Sequence, residues 1–316
     1  MDWYYYVIIS ILAILLLFLL VCYICYKMTF YNNRKKQNDD EVCLPKDEIY
    51  TKYKELIISD IANARNMPHQ TYQIKSFDGL TLKANYYEYE KNAPIEIMVH
   101  GYKGSGERDL STGIRRAFAC HRSAFIIDQR ACGKSEGNII TFGVNESKDC
   151  LSWIDFVIKT FGDDVKIILT GISMGAATVV NVSSFDLPKN VVGILADCGF
   201  HDSKEIISKT IKDMKLPVKL FYPFVKMAAK IFAHFNLEEI TPIESIKKCK
   251  LPIIFIHGKS DDFVPYYMSE KMYESCNSDK ALVLIDNAGH GISYLVDPEL
   301  YVKELEKFFN EKVFNR

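Results

Sequence analysis

Apolar residues fall along this chain in three regimes, and each predicts a different kind of element. Residues 4–26 read YYYVIISILAILLLFLLVCYICY, without one charged side chain. At about 1.5 Å rise per residue, such a run crosses a hydrocarbon core of about 30 Å as one helix. Tyr4, Tyr5, Tyr6, Tyr23 and Tyr26 stand at its two ends, where amphipathic rings prefer the membrane interface. Residues 31–46 are polar and charged and predict a linker. A helical period follows over 47–66 and stops before Pro68. TYQIKSF and LTLKANYYEYE then alternate about Asp78-Gly79, the pattern of a β-hairpin.

Beyond the hairpin, alternation gives way to short unbroken apolar runs. They are IEIMVH (95–100), SAFIID (123–128), VKIILT (165–170), VVGILAD (191–197), LPIIFIH (251–257) and ALVLID (281–286). Between most of them lie helical periods such as ESKDCLSWIDFVIKTF and PELYVKELEKFF. Strands apolar on both faces, alternating with helices, predict an α/β fold with a mostly parallel central sheet and helices on both faces. Residues 198–250 are too many for an ordinary crossover and contain VKLFYPFVKMAAKIFAHF. A helical cap over the strand ends is expected there, where sheets of this kind bind ligands; the alternative is a long core helix. The expected organisation is a transmembrane anchor at 1–30, a polar linker at 31–46 and a catalytic domain at 47–316, with the cap at 198–250.

Charge and cysteine content sharpen this picture. Lys and Arg number 39 against 40 Asp and Glu, a net charge of −1, which offers nucleic acid no electrostatic attraction. Lys27, Arg34, Lys35 and Lys36 follow the apolar run and no basic residue precedes it, so the positive-inside rule leaves the body of the protein cytoplasmic. A cleaved signal peptide would need a basic start and a small-residue cleavage site, and neither is present. Of the 9 cysteines, the seven beyond the apolar run (Cys43, Cys120, Cys132, Cys150, Cys198, Cys249 and Cys276) are odd in number, lack paired spacing and read as reduced thiols.

The pentapeptide G-x-S-x-G, which presents a nucleophilic serine, occurs twice. It needs a strand running into the turn and a helix leaving it. Ser173, in Gly171-Ile172-Ser173-Met174-Gly175, has VKIILT before it and MGAATVVNVSSF after it. Ser135, in Gly133-Lys134-Ser135-Glu136-Gly137, sits past its strand and is followed by β-branched NIITFG. A P-loop would require glycine where Asp128 stands. ACGKSEG therefore reads as a surface loop after a strand.

A serine hydroxyl needs a base, and the base needs a carboxylate to orient it. The loop GKSDDFVP offers Asp261, with Asp262 as the alternative, and NAGHGIS offers His290. An oxyanion would be held by backbone N–H groups of Met174, at a helix start, and Tyr102, in HGYKGSG. His257 and His100 read only as residues at the start of two of these loops.

Together HGYKGSG, residues 128–137 (D-x-R-x-x-G-x-S-x-G), GISMG, HGKSDDFVP and GHG resemble the α/β-hydrolase superfamily. Within it the chain is similar to bacterial membrane-anchored serine hydrolases related to the prolyl-oligopeptidase catalytic domain. The resemblance covers about residues 70–312. It implies an α/β-hydrolase fold, a triad of Ser173, Asp261 and His290, an oxyanion hole at Tyr102 and Met174, and no role for Ser135. The expected reaction is cleavage of a carboxylic ester or thioester through an acyl-serine, with no metal or organic cofactor. The expected partners are a small or lipid-like acyl substrate and, through the N-terminal helix, a membrane. A serine peptidase on the same triad is the alternative. Phe221, Tyr222, Phe224, Met227, Phe232 and Phe235 are expected to form an apolar ceiling over the acyl group.

Overall fold

A computed structural model describes residues 3–33 and 48–315. The predicted hairpin forms β1 (Gln70–Lys75) and β2 (Thr81–Tyr87), and Gly79 takes the left-handed φ of 91° that its turn requires. The apolar runs form β3 (Ile95–Val99), β4 (Ser123–Asp128), β5 (Ile167–Ile172), β6 (Val191–Asp197), β7 (Ile253–Gly258) and β8 (Lys280–Ile285). One sheet holds all eight in the order β1-β2-β4-β3-β5-β6-β7-β8. β2 pairs antiparallel with β1 and β4, and every later pairing is parallel.

Twelve α-helices are described: α1 (Trp3–Thr29), α2 (Glu48–Thr51), α3 (Lys54–Asn66), α4 (Gly106–Ala119), α5 (Val144–Phe161), α6 (Met174–Val182), α7 (Ser203–Asp213), α8 (Val218–Ile231), α9 (Pro242–Ile246), α10 (Tyr267–Ser275), α11 (Ser293–Val296) and α12 (Pro298–Phe309), the last continuing into a π-helical turn at Asn310–Phe314. One sheet face packs on Trp153 and Val179 of α5 and α6, the other on Ile114 of α4 and Tyr301 and Phe309 of α12. Apolar faces on both sides explain why the strands lack alternation. The chain has the α/β-hydrolase fold, and residues 198–250 supply its helical cap, α7 to α9.

Among the described residues, α1 is the one helix long and apolar enough to cross a membrane. Residues 3–17 are exposed along their whole length, whereas Cys22, Cys25 and the following Phe30 are buried against the body. The linker expectation needs correction at its start. Tyr31 bridges Ile139, and buried Asn32 donates its side-chain amide to the Ala131 carbonyl at 2.8 Å. The rest of that stretch, 34–46 with Arg34, Lys35, Lys36 and Cys43, lies outside the described residues.

Glu96 sits in the middle of the sheet, fully buried, with Arg116 at 2.5 Å, Arg122 at 2.8 Å and the Thr170 hydroxyl donating at 2.9 Å. Burial alone would raise its carboxyl, but the two guanidinium groups outweigh burial and hold it down to about 2. A depressed folded pKa adds stability that is fully present above the unfolded carboxylate range, about 4.3, and is lost as pH falls toward 2. Glu96→Gln leaves two buried guanidinium charges uncompensated and is expected to cost about 3–5 kcal/mol at neutral pH, read by denaturant unfolding. A loss below about 1 kcal/mol would mean that the cluster is solvated.

Candidate active site

β5 runs straight into Ser173, and α6 starts at the next residue. Ser173 has φ 57° and ψ −119°, a conformation that costs a residue with a Cβ. Two glycines make the turn possible. A Cβ on Gly171 would lie 2.2 Å from the Gly175 carbonyl oxygen, and one on Gly175 would lie 2.0 Å from that of Val99. The obstacles are backbone, so strand and helix approach this closely only without side chains at those positions.

The loops after β7 and β8 bring the remaining groups to Ser173. His290 Nε2 lies 2.8 Å from Ser173 Oγ, and its Nδ1 lies 2.7 Å from Asp261 Oδ2. An ionised carboxylate can only accept, so Nδ1 carries the proton and Nε2 is left to accept from the serine hydroxyl. Asp261 is buried, and its other oxygen accepts from the backbone N–H groups of Phe263 at 3.0 Å and Val264 at 2.8 Å. Burial would raise this carboxyl, but hydrogen bonds from His257 and His290 hold it down to about 2. Asp262, the alternative acid, is exposed.

The loop HGYKGSG passes beside the serine: a Cβ added at Gly101 would lie 3.5 Å from Ser173 Cβ. Among the described residues, the backbone N–H groups of Tyr102 and Met174 have no protein acceptor. Both residues line the same cavity as Ser173. His100 supports the loop from beneath. Its Nε2 accepts from the Gln129 backbone N–H at 3.0 Å, and its Nδ1 donates to the Gly101 carbonyl at 2.7 Å.

Three further residues touch the site. His257, fully buried, places Nε2 2.8 Å from the Val264 carbonyl and 3.2 Å from Asp261 Oδ2, while its Nδ1 accepts from the Ser269 hydroxyl. The Tyr50 hydroxyl donates to the His290 carbonyl at 2.6 Å. Buried Cys198 has its sulfur within 4.8 Å of ligand atoms of Asp261 and His290, a grouping of metal-ligating types. Burial pushes its thiol well up, and Asp261 Oδ2 is already bonded to His290, so these donors serve one another. None of the three had a sequence signal for this site: His257 read only as the start of the acid loop, and Cys198 as a reduced thiol.

The second pentapeptide is not a surface loop, as the sequence reading had it. Ala131, Cys132 and Ser135 are buried; only the intervening Lys134 and Glu136 side chains are exposed. Ser135 Oγ donates to the Asp128 carbonyl at 2.6 Å and accepts from the Lys83 N–H at 2.8 Å, which ties β2 to β4. Asp128 in turn accepts from the backbone of Gly106 at 2.7 Å and of Lys134 at 2.8 Å. Ser135→Ala is expected to cost about 1 kcal/mol of stability by removing the partner of the half-buried Lys83 N–H, while labelling by a fluorophosphonate persists.

Two cavities meet at Ser173. One, of about 360 Å³, is lined by Tyr50, Arg108, Asp109, Thr112, Phe263 and His290. The other, of about 500 Å³, is apolar and runs under the cap past Met174, Phe142, Phe200 and Phe221. The expected ceiling is corrected here. Phe221 lines the cavity; Tyr222 and Phe235 are core, Met227 is exposed, and Phe224 and Phe232 pack against Phe18, Tyr23 and Tyr26 of α1. Ile206, Ile207, Ile211 and Val225 complete the cavity wall instead.

Residues 140–315 match the profile of the prolyl oligopeptidase family. YqkD of Bacillus subtilis is 28% identical over 190 residues, which are 60% of this chain and 62% of YqkD. A membrane protein of Saccharomyces cerevisiae, YNL320W, is 25% identical over 263 residues, 81% of this chain and 84% of its own. Among solved structures, the Pyrococcus furiosus esterase Pf2001 superposes with a TM-score of 0.63 at 22% identity, covering 81% of this chain and 95% of the esterase. With the profile extending over more than half of its length and the elbow and loops lying in that fold, the chain belongs to the prolyl oligopeptidase family of α/β hydrolases.

Proposed function

We propose that this chain is a serine hydrolase, held at a membrane by α1, that cleaves carboxylic esters or thioesters. The observation that carries the reading is His290 bridging Ser173 and Asp261 at 2.8 and 2.7 Å. His290 takes the hydroxyl proton as Ser173 Oγ attacks the substrate carbonyl. The carbonyl oxygen, now negative, accepts from the N–H groups of Tyr102 and Met174; one such donor is worth about 3–4 kcal/mol of barrier. The alcohol or thiol leaves with the proton from His290, and water attacks the acyl-serine by the same route in reverse. The acyl group lies in the apolar cavity and the leaving group in the one bearing Arg108 and Asp109. Lys27 and the basic residues after it support a cytoplasmic placement of this site.

A peptidase is the second reading, and the family match is what favours it. The apolar cavity supports the ester reading instead, because it offers little to a peptide backbone. Turnover of p-nitrophenyl acyl esters is expected to exceed that of prolyl and aminoacyl p-nitroanilides. Faster release from the anilides would reverse the order.

A further inference from the structure

Resting on the ester-hydrolase reading above, we propose that the last turns of α1 are a working wall of the active site. They close one side of an acyl-chain channel, and the substrate is a single-chain acyl ester drawn directly from the bilayer. Val21, Ile24 and Met28 of α1 line the apolar cavity opposite Ile207, Ile211 and Phe221 of the cap, and the cavity reaches Ser173 and Met174. At about 500 Å³ it falls in the range that holds one drug-sized ligand, about 300–1,000 Å³, and so takes one chain rather than two.

The depth of the channel follows from the length of α1. Residues 3–17, exposed along their whole length, rise about 22 Å at about 1.5 Å each, short of a hydrocarbon core of about 30 Å. A spanning α1 must therefore sink its next turns into the near leaflet as well. Those turns carry α8 with them: Phe18 packs on Phe224 at 5.5 Å and Tyr23 on Phe232 at 5.5 Å, so the two helices run side by side in one direction. The cap edge next to them has exposed Met214 and Leu220 interspersed with Lys212, Lys215 and Lys219, the composition of a segment lying in a lipid headgroup layer. Ile24 and Met28 are half exposed, at 48% and 53%, so the channel is open on the α1 side at that depth.

The same helix holds the oxyanion loop. The last carbonyls of α1 have no intrahelical partner, and the Tyr102 hydroxyl donates to that of Thr29 at 2.7 Å while Lys103 Nζ donates to that of Met28 at 3.1 Å. Chain entry and the position of the Tyr102 N–H thus depend on one element.

The test uses the full chain in phosphatidylcholine vesicles and compares kcat/KM for p-nitrophenyl palmitate and p-nitrophenyl butyrate. Ile24→Trp and Met28→Trp obstruct the channel from the α1 side and are expected to lower the palmitate-to-butyrate ratio at least about tenfold, the scale set by a misfit of one methylene. Leu12→Trp, on the free part of the same helix, is expected to keep the wild-type ratio. A measurement on wild type avoids any folding defect: a long-chain fluorophosphonate bearing a terminal diazirine is attached and irradiated, and the adduct is expected on residues 18–29. Wild-type ester turnover with an unchanged ratio in both channel variants, or adducts confined to other peptides, overturns the channel alone. Wild type that turns over neither ester overturns the hydrolase reading and the channel with it.

Discussion

Ser173→Ala is expected to lower kcat on its best ester about a million-fold, the loss seen when a nucleophile that works as one unit with its base is removed. Ser173 Oγ has His290 as its hydrogen-bond partner and lies where both cavities open. Alanine keeps the Cβ and the strained φ of 57°, so unfolding free energy is expected to stay within about 0.5 kcal/mol of wild type. Activity and stability therefore separate in this variant. A fluorophosphonate should label wild type and fail to label Ser173→Ala. Persistent labelling or activity within about a hundredfold of wild type would assign the nucleophile elsewhere.

Asp261→Asn is expected to lower kcat about ten-thousand-fold with the fold intact. The direction comes from the hydrogen bonds around the carboxylate. Asp261 Oδ1 accepts from two backbone N–H groups, at 3.0 and 2.8 Å, so the carbonyl oxygen of an asparagine is held at that position. Its amide then faces His290 as a donor where Oδ2 had accepted. Nδ1 of His290 must accept, the proton moves to Nε2, and the base presents a hydrogen to Ser173 in place of a lone pair. Asp262→Asn, at an exposed site, should leave kcat near wild type. Equal losses in the two variants would refute the assignment of the acid. Because Asp261 is held down to about 2, its charge survives mild acid.

Much of this was legible in the chain, and the reasons differ by element. Parallel strands buried on both faces read as unbroken apolar runs, and Gly171 and Gly175 marked the elbow because only they fit against the facing backbone. β5 was placed two residues early because Val165 is as apolar as the strand itself, whereas the ladder runs on through Gly171 to Ile172. Asp261 and Asp262 could not be separated by type or spacing; burial and two backbone donors separate them. His257 was passed over because a histidine ending a buried strand looks the same whether or not it bonds the acid. Nor could any local pattern tell that Cys22, Cys25 and Phe30 fold back on the body, since an apolar run has no marker for which of its turns meets protein and which meets lipid.

The place where the cap joins the sheet carries a consequence for how such enzymes diversify. β6 and β7 are parallel neighbours, so residues 198–250 leave the C-terminal end of β6 at Asp197 and cross back to enter β7 at Ile253, opposite Ile194, without interrupting the ladder between the two strands. A segment grafted at two such points can be lengthened, shortened or replaced while the elbow and its acid loop keep their spacing. In this chain the freedom has a limit, because Phe224 and Phe232 are fitted to Phe18, Tyr23 and Tyr26. A new cap would arrive with the wrong counterpart for the old N-terminal helix, so the two segments should change together over evolutionary time or fail together in a chimera.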